Sequence, residues 1–138
     1  MVVVVSNPAI PTQTAFVPLA RDPDAAAVVG SSLYVLAHQM EGSVEAGLRV
    51  FDVSDPAHPV AGMTLPVGGA SLGGSIALTG RYAYVAASGL HVLHVGEPAH
   101  PVEVGFHSLS LNSVAADGNY AYAGVGSEGL QALRFTAP

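Results

Sequence analysis

Six histidines and ten acidic side chains are the groups in this sequence that could bind a metal ion or transfer a proton. His91 and His94 lie three residues apart on a predicted strand, so their side chains point to opposite faces and cannot hold one ion together. His58 and His100 are equivalent residues in two copies of a repeated turn, which places them far apart. The sequence carries no signature of a zinc protease, a phosphate-binding loop, a serine hydrolase or an EF-hand. We therefore expect no catalytic residue, no metal site and no cofactor, and we predict that the chain is not an enzyme.

Polar residues in the loops between predicted strands are the candidates for ligand binding. Two sets of loops emerge on the same face of a propeller, and function is usually found in such loops. One set joins the fourth strand of a repeat to the first strand of the next repeat, and the other joins the second strand to the third. The candidate residues on this face are Asp22, Asp24, His38, Glu41, Glu45, His107 and Asn112. The four acidic residues could supply oxygen ligands to Ca²⁺, but Asp22 and Asp24 also suit an ordinary turn around Pro23. The insertion at 38–46 suits a binding finger, an assembly contact or an idle surface loop.

The elements that position these loops belong to an internal repeat. Two segments have nearly the same sequence, a diverged copy opens the chain, and a truncated copy closes it. These segments are Gly47–Val60, Gly89–Val102, Val2–Thr12 and Gly129–Pro138. Their equivalent positions Asn7, Asp55, Glu97 and Ala137 are between 40 and 48 residues apart. A period near 40 built of short strands predicts the blades of a β-propeller.

Each repeat contains up to four predicted strands, labelled A to D from the propeller axis outward. The A strands are Ala25–Val29, Ser75–Thr79 and Ser113–Ala116, and the B strands are Ser32–Leu36, Tyr82–Ala86 and Tyr120–Ala123. The C strands are Val2–Val5, Leu48–Val53, Leu90–Val95 and Leu130–Phe135, and the D strands are Thr14–Leu19, Val60–Leu65 and Val102–His107. We predict one domain over 1–138, with a C–D pair over 2–19, blades over 25–65 and 75–107, and an A–B–C set over 113–135. Both faces of the A, B and C strands are apolar, as burial on both sides requires.

Tyrosines and turn residues recur at fixed places in the repeat. Tyr34, Tyr84 and Tyr122 are equivalent, and we expect each to fill space between blades and to direct its hydroxyl to a rim or a backbone partner. An Asn, Asp or Glu precedes the first proline of each C-to-D turn, where a short polar side chain and proline favour a type I turn. These residues are therefore predicted to be scaffold.

Composition excludes several classes of function. The net charge is −6 with only four basic residues, which argues against binding to nucleic acid or an anionic membrane surface. Cysteine is absent, so disulfides and thiolate chemistry are excluded. No apolar run reaches the roughly 20 residues of a membrane-spanning helix, and the first residues lack the basic region of a signal peptide. The compartment is therefore left open.

The repeated motif resembles that of the LVIVD-repeat β-propeller family. Gly47-Leu-Arg-Val-Phe-Asp-Val-Ser-Asp-Pro-Ala-His-Pro-Val60 carries the likeness, together with Gly80-Arg-Tyr-Ala-Tyr-Val-Ala86. The resemblance implies a propeller fold, a tendency to extracellular or surface-attached proteins, and motif residues that are structural. The sequence departs from the motif at Gly96 and Glu97, and at His94 and Arg134, which replace the Asp52 of the best copy.

Three blades cannot close a ring, since propellers normally contain four to eight. The apolar flanks of the first and last blades would lie in water, at a cost comparable to the net stability of a domain. We therefore expect a homodimer in which two three-blade halves form one six-bladed propeller. Other oligomers, a piece of a longer propeller and an open arc remain alternatives. We predict that the chain is a non-catalytic binding or assembly module that associates with itself. A protein or a small molecule is a possible further partner on the loop face. The alternatives are a hydrolase or lyase with its site at the axial mouth, or a structural subunit of a larger array.

Overall fold

The computed structural model describes residues 1–4, 6–19, 22–37, 47–67, 74–111 and 113–136. These residues contain thirteen β-strands and one short 3₁₀ turn at Gly126–Glu128. The first six strands are β1 (Val2–Val4), β2 (Thr12–Ala15), β3 (Pro23–Val29), β4 (Ser32–Ala37), β5 (Gly47–Asp52) and β6 (Val60–Leu65). The remaining seven are β7 (Ser75–Thr79), β8 (Tyr82–Ala86), β9 (Leu90–His94), β10 (Val102–His107), β11 (Ser113–Asp117), β12 (Tyr120–Gly124) and β13 (Leu130–Arg134).

The strands form four antiparallel sheets, each made of strands consecutive in the chain. We call β1–β2 the N-terminal sheet, β3–β6 blade 1, β7–β10 blade 2 and β11–β13 blade 3. The innermost strand of blade 2, β7, lies against β3 of blade 1 and against β11 of blade 3. Sheets that meet at their first strands radiate from a common axis, so the chain has the predicted all-β propeller fold.

The hydrophobic core lies between the blades. Blade 1 contributes Tyr34 and Leu48 to a buried cluster in which blade 2 contributes Ala83, Val85 and Leu93. A second cluster joins the opposite face of blade 2 to blade 3. It contains Tyr84, Leu90, Val92 and Ala121, with Leu133 against it. Blade 2 is thus covered on both faces, which explains why its strands are apolar on both faces.

The predicted strand positions agree with the structure to within two residues, except for the first D strand. That strand was expected at Thr14–Leu19 but runs from Thr12 to Ala15. Its pairing begins where the turn ends, with Thr12 opposite Val4, and stops at Ala15, opposite Val2. The partner strand β1 contains only three residues, and the ladder is correspondingly short. The prediction followed the apolar residues and missed the limit that the short partner sets.

The C-to-D turns are closed by the backbone hydrogen bond of a β-turn. The backbone N–H of His58 donates to the carbonyl of Asp55 at 3.0 Å, and that of His100 donates to Glu97 at 2.9 Å. The side chain of Asp55 also accepts from the backbone N–H of Ala57 at 3.0 Å. Hydrogen bonds from the His58 ring and then from Ala57 lower the pKa of Asp55. These residues therefore shape the turn, as the sequence predicted.

Candidate functional site

Three of the predicted loop-face residues lie in the described part of the structure. Asp22 is exposed just before β3, Asp24 is partly buried within β3, and His107 is exposed at the end of β10. The other four, His38, Glu41, Glu45 and Asn112, lie outside the described residues. Ligand binding by this set therefore stays a prediction.

The three described candidates are not brought together. Asp22 and Asp24 lie at the innermost strand of blade 1, whereas His107 lies on the outermost strand of blade 2. Within the described ranges, no group of three or more His, Asp or Glu side chains could hold a metal ion. The cavity that His107 helps to line, about 200 Å³, is otherwise formed largely by apolar side chains such as Leu90 and Phe106.

The histidines of β9 separate to opposite faces, as predicted. The buried His91 forms a 2.7 Å hydrogen bond through Nδ1 with Glu103 of β10 and a 2.9 Å bond through Nε2 with the carbonyl of Ala87. The ring of His94 lies on the other face, 5.5 Å from the ring of Tyr82. His91 thus fastens the two outer strands of blade 2 to the loop before β9. We interpret this contact as structural.

The outward flank of blade 3 is the main irregularity of the fold. Tyr34 and Tyr84 are 0% and 1% exposed, whereas the equivalent Tyr122 is 39% exposed. The same contrast appears on the third strand, where Leu48 and Leu90 are 0% and 3% exposed and Leu130 is 73% exposed. In blades 1 and 2 the next blade covers these side chains. After blade 3 no described blade is present, so the same residues face solvent.

Within the chain, a different polar contact is seen at each junction between neighbouring blades. The hydroxyl of Tyr34 in blade 1 donates to the carbonyl of Pro98 in blade 2 at 2.7 Å, which is the backbone partner predicted for this tyrosine. Between blades 2 and 3, the backbone N–H of Gly118 donates to the Thr79 hydroxyl at 2.9 Å. Blade 1 is therefore joined to blade 2 through a tyrosine, and blade 2 to blade 3 through a turn at the innermost strand. Neither contact is formed by blade 3 toward a further blade among the described residues.

The hydroxyl of Tyr84 is buried and has no hydrogen-bond partner among the described residues. Burial, and then the neighbouring Tyr82, raise its pKa. Burial also raises the pKa of Tyr34 to about 12. Both hydroxyls therefore stay protonated near neutral pH and act as donors, but only that of Tyr34 has an acceptor in the described part of the chain. An unpartnered buried hydroxyl destabilises the fold.

The N-terminal sheet lies on the free flank of blade 1. Its pairs Val4–Thr12 and Val3–Gln13 have the same register as the pairs Asp52–Val60 and Phe51–Ala61 of blade 1. The sheet therefore corresponds to the C–D half of a blade, and no A or B strand pairs with it among the described residues.

This half-blade fits loosely against blade 1. Cavities of about 180 and 400 Å³ remain between them, and Met1 and Val2 line both. The larger cavity is lined on the blade 1 side by Val28, Gly30, Leu33, Val53 and Pro56, which we call the socket. In the described part of the chain, the first sheet thus corresponds to C and D strands and the last sheet to A, B and C strands.

The outer edge of β13 is also uncovered. In blade 2, Gly89 lies just before the third strand and close to β10, so that a methyl group at this position would lie 2.5 Å from the Phe106 ring. In blade 1, a methyl group at Gly47 would meet the Leu65 carbonyl of β6 at 2.5 Å. At the equivalent Gly129 no described atom lies within 4 Å. Among the described residues, blade 3 therefore has no fourth strand beside β13.

The candidate site is therefore the pair of end flanks, whose residues were not among the predicted site residues. Bare apolar flanks were predicted, but the equivalence of Tyr122 with Tyr34 and Tyr84 was not used to predict its exposure. That equivalence was the available signal, because no described blade follows blade 3. The described residues contain no helix long and apolar enough to cross a membrane.

Comparison with known proteins supports the repeat. The family model described as LVIVD repeat matches residues 42–63, 73–107 and 110–132, which together are more than half of the chain. Each matched segment falls on one of the three blades. No curated protein matches the chain.

Proposed function

The chain belongs to the LVIVD-repeat family, and from this premise we propose that it is a non-catalytic assembly module, a half-propeller that a second copy completes. The observation that carries the proposal is the exposure of Tyr122 and Leu130 at positions that are buried in both other blades. A repeated fold that buries a position twice is adapted to bury it a third time. A neighbouring blade is the natural cover.

A second copy can supply that blade. One end of the chain offers A, B and C strands (β11–β13), and the other offers C and D strands (β1–β2). Two copies joined end to end at both junctions form a closed ring of six blades with two-fold symmetry, within the usual range of propellers. Both copies bring a C strand to each shared blade. We assign the place to β13, because it pairs with β12 through five residues whereas β1 has only three.

Burial of two apolar flanks at each of two junctions supplies the driving force. Apolar burial stabilises by about 25 cal/mol per Å², against a cost of association of roughly 4–15 kcal/mol. A ring closes both junctions at once and meets that cost a single time. The ring also leaves no flank for further growth, which favours a discrete particle over an array.

Small-angle X-ray scattering tests the proposal. We expect a compact particle with twice the mass of one chain, 13.9 kDa, and a maximum dimension that does not change with concentration. A particle that lengthens with concentration would indicate the open array instead. A monomer at all concentrations would refute self-assembly.

A further inference from the structure

We infer that Tyr122 of one copy enters the socket of a second copy and donates a hydrogen bond to its Pro56 carbonyl. This inference rests on the proposed self-assembly and identifies the contact that drives it. The chain itself provides a template for this contact. The site on blade 2 that is equivalent to the socket already holds a tyrosine from blade 1, whereas the socket on blade 1 is only partly filled.

The occupied site, equivalent to the socket, is on blade 2. The residues equivalent to Leu33, Val53 and Pro56 are Ala83, Val95 and Pro98. Tyr34 packs with Ala83 and Val95 in one buried cluster, and its hydroxyl donates to Pro98 at 2.7 Å. A tyrosine from the preceding blade is therefore the side chain that this site holds within the chain.

The socket of blade 1 lacks such a tyrosine among the described residues. A cavity of about 400 Å³ remains there, and Val28 on its wall is 57% exposed. Met1 and Val2 fill the site only in part. A second copy offers a tyrosine at the required repeat position, Tyr122, whose side chain is already exposed. On assembly its ring takes the place of Met1 and Val2.

A second contact is expected from the same template and fixes the orientation of the two copies. Thr79 at the end of β7 accepts a hydrogen bond from the Gly118 N–H of the next blade. One blade later, the equivalent pair is Asp117 of one copy and Gly30 of the other. Asp117 is exposed in the protomer, and Gly30 has a positive φ of 58°, like Gly118 at 57°. A carboxylate at this position is a stronger acceptor than the threonine hydroxyl.

The first test compares two variants that each place one carboxylate at an exposed apolar strand position. Tyr122→Asp puts the charge into the socket, and Val102→Asp puts it on the outer strand of blade 2, where Val102 is 58% exposed. We expect Tyr122→Asp to raise the dissociation constant of the assembly at least about 30-fold, as loss of a central anchor residue does. Val102→Asp should leave it within about 3-fold. Far-UV circular dichroism and the unfolding midpoint establish that both variants fold.

The second test is cross-linking, which works even if Tyr122→Asp is unstable. The chain has no cysteine, so introduced thiols are the only ones. In the template, a methyl group at Gly30 would lie 3.6 Å from the Pro98 ring. The equivalent junction between copies joins the Gly118 turn to Pro56. We therefore expect the double variant Asn119→Cys/Pro56→Cys to form covalent dimers with a short bismaleimide. Asn119→Cys/Pro98→Cys is the matched control and should not, because Pro98 already faces its own blade 1.

The outcomes separate this inference from the proposed function. An assembly that persists in Tyr122→Asp and gives no specific cross-link overturns the socket contact and leaves self-assembly standing. A wild-type chain that stays monomeric overturns both. Specific cross-links in a particle that grows with concentration support the contact and overturn the closed ring.

Discussion

Two equivalent tyrosines provide an internal experiment on the interfaces between blades. Tyr34 and Tyr84 occupy the same repeat position and are both almost fully buried. Within the described residues only Tyr34 has an acceptor, the carbonyl of Pro98. Replacement by phenylalanine removes the same hydroxyl from each site and keeps the ring. We expect Tyr34→Phe to lower the free energy of unfolding and Tyr84→Phe to raise it or leave it unchanged.

The expected sizes are set by the hydrogen bonding. At Tyr34, one bond of 2.7 Å between neighbouring blades is lost, and a typical bond of this kind contributes about 1 kcal/mol net. At Tyr84, no described acceptor is lost, and removal of a buried, unpartnered hydroxyl relieves a desolvation cost of about 1 kcal/mol or more. The free energies of unfolding of the two variants should therefore differ from each other by about 1–2 kcal/mol, with Tyr84→Phe the more stable.

Urea unfolding followed by circular dichroism measures this difference. All three proteins are compared at one concentration, below that at which sedimentation detects association, because self-association would add to the apparent stability. Equal destabilisation by both substitutions would refute the reasoning, since it would mean that the Tyr84 hydroxyl has a partner. A stabilised Tyr34→Phe variant would equally contradict the assigned hydrogen bond.

Three further predictions concern the core, the pH dependence and the missing strand. Leu48→Ala should lower the free energy of unfolding by about 2–5 kcal/mol, as measured by urea unfolding, because Leu48 is fully buried. Leu130 is 73% exposed in the protomer, so Leu130→Ala should change the free energy of unfolding by less than about 0.5 kcal/mol. It should instead weaken self-association, as measured by sedimentation. The folded-state pKa of Tyr34 is raised from 10.0 to about 12, so the folded state retains its proton longer and stability should fall as the pH rises from 10 to 12; Tyr34→Phe should lose that part of the decline in urea titrations at each pH. Gly89→Ala should lower the melting temperature more than Gly129→Ala. Both residues have positive φ, but among the described residues only Gly89 lies against a fourth strand. Equal melting temperatures would show that contact with the outer strand does not cause the difference.

Most of the fold could be predicted because the same strand and turn residues recur in each repeat. The turn glycines, the C-to-D prolines and the paired tyrosines fixed strand positions in blades 1 and 2 to within two residues. The N-terminal sheet was predicted less well because its C strand is short. The apolar residues Phe16 to Leu19 suggested a longer β2, but its pairing with the three-residue β1 ends at Ala15.

The candidate site was harder to predict than the fold. Residue types alone drew attention to Asp22, Asp24 and His107, yet the structure places them at opposite radial positions of different blades. The important residues are apolar and carry no chemical signature. Tyr122 occupies the same repeat position as Tyr34, but no further described blade lies beside it, and this cannot be read from its residue type. The His91–Glu103 contact also went unpredicted, because it depends on the register between β9 and β10.

The mass of the particle in solution tests the central claim most directly. Sedimentation equilibrium over a wide range of concentrations should fit a monomer–dimer equilibrium, in which the largest particle has twice the 13.9 kDa of one chain and no larger species appears. A stable, soluble monomer at high concentration, with Tyr122 and Leu130 left in water, would contradict the claim that a second copy completes this propeller.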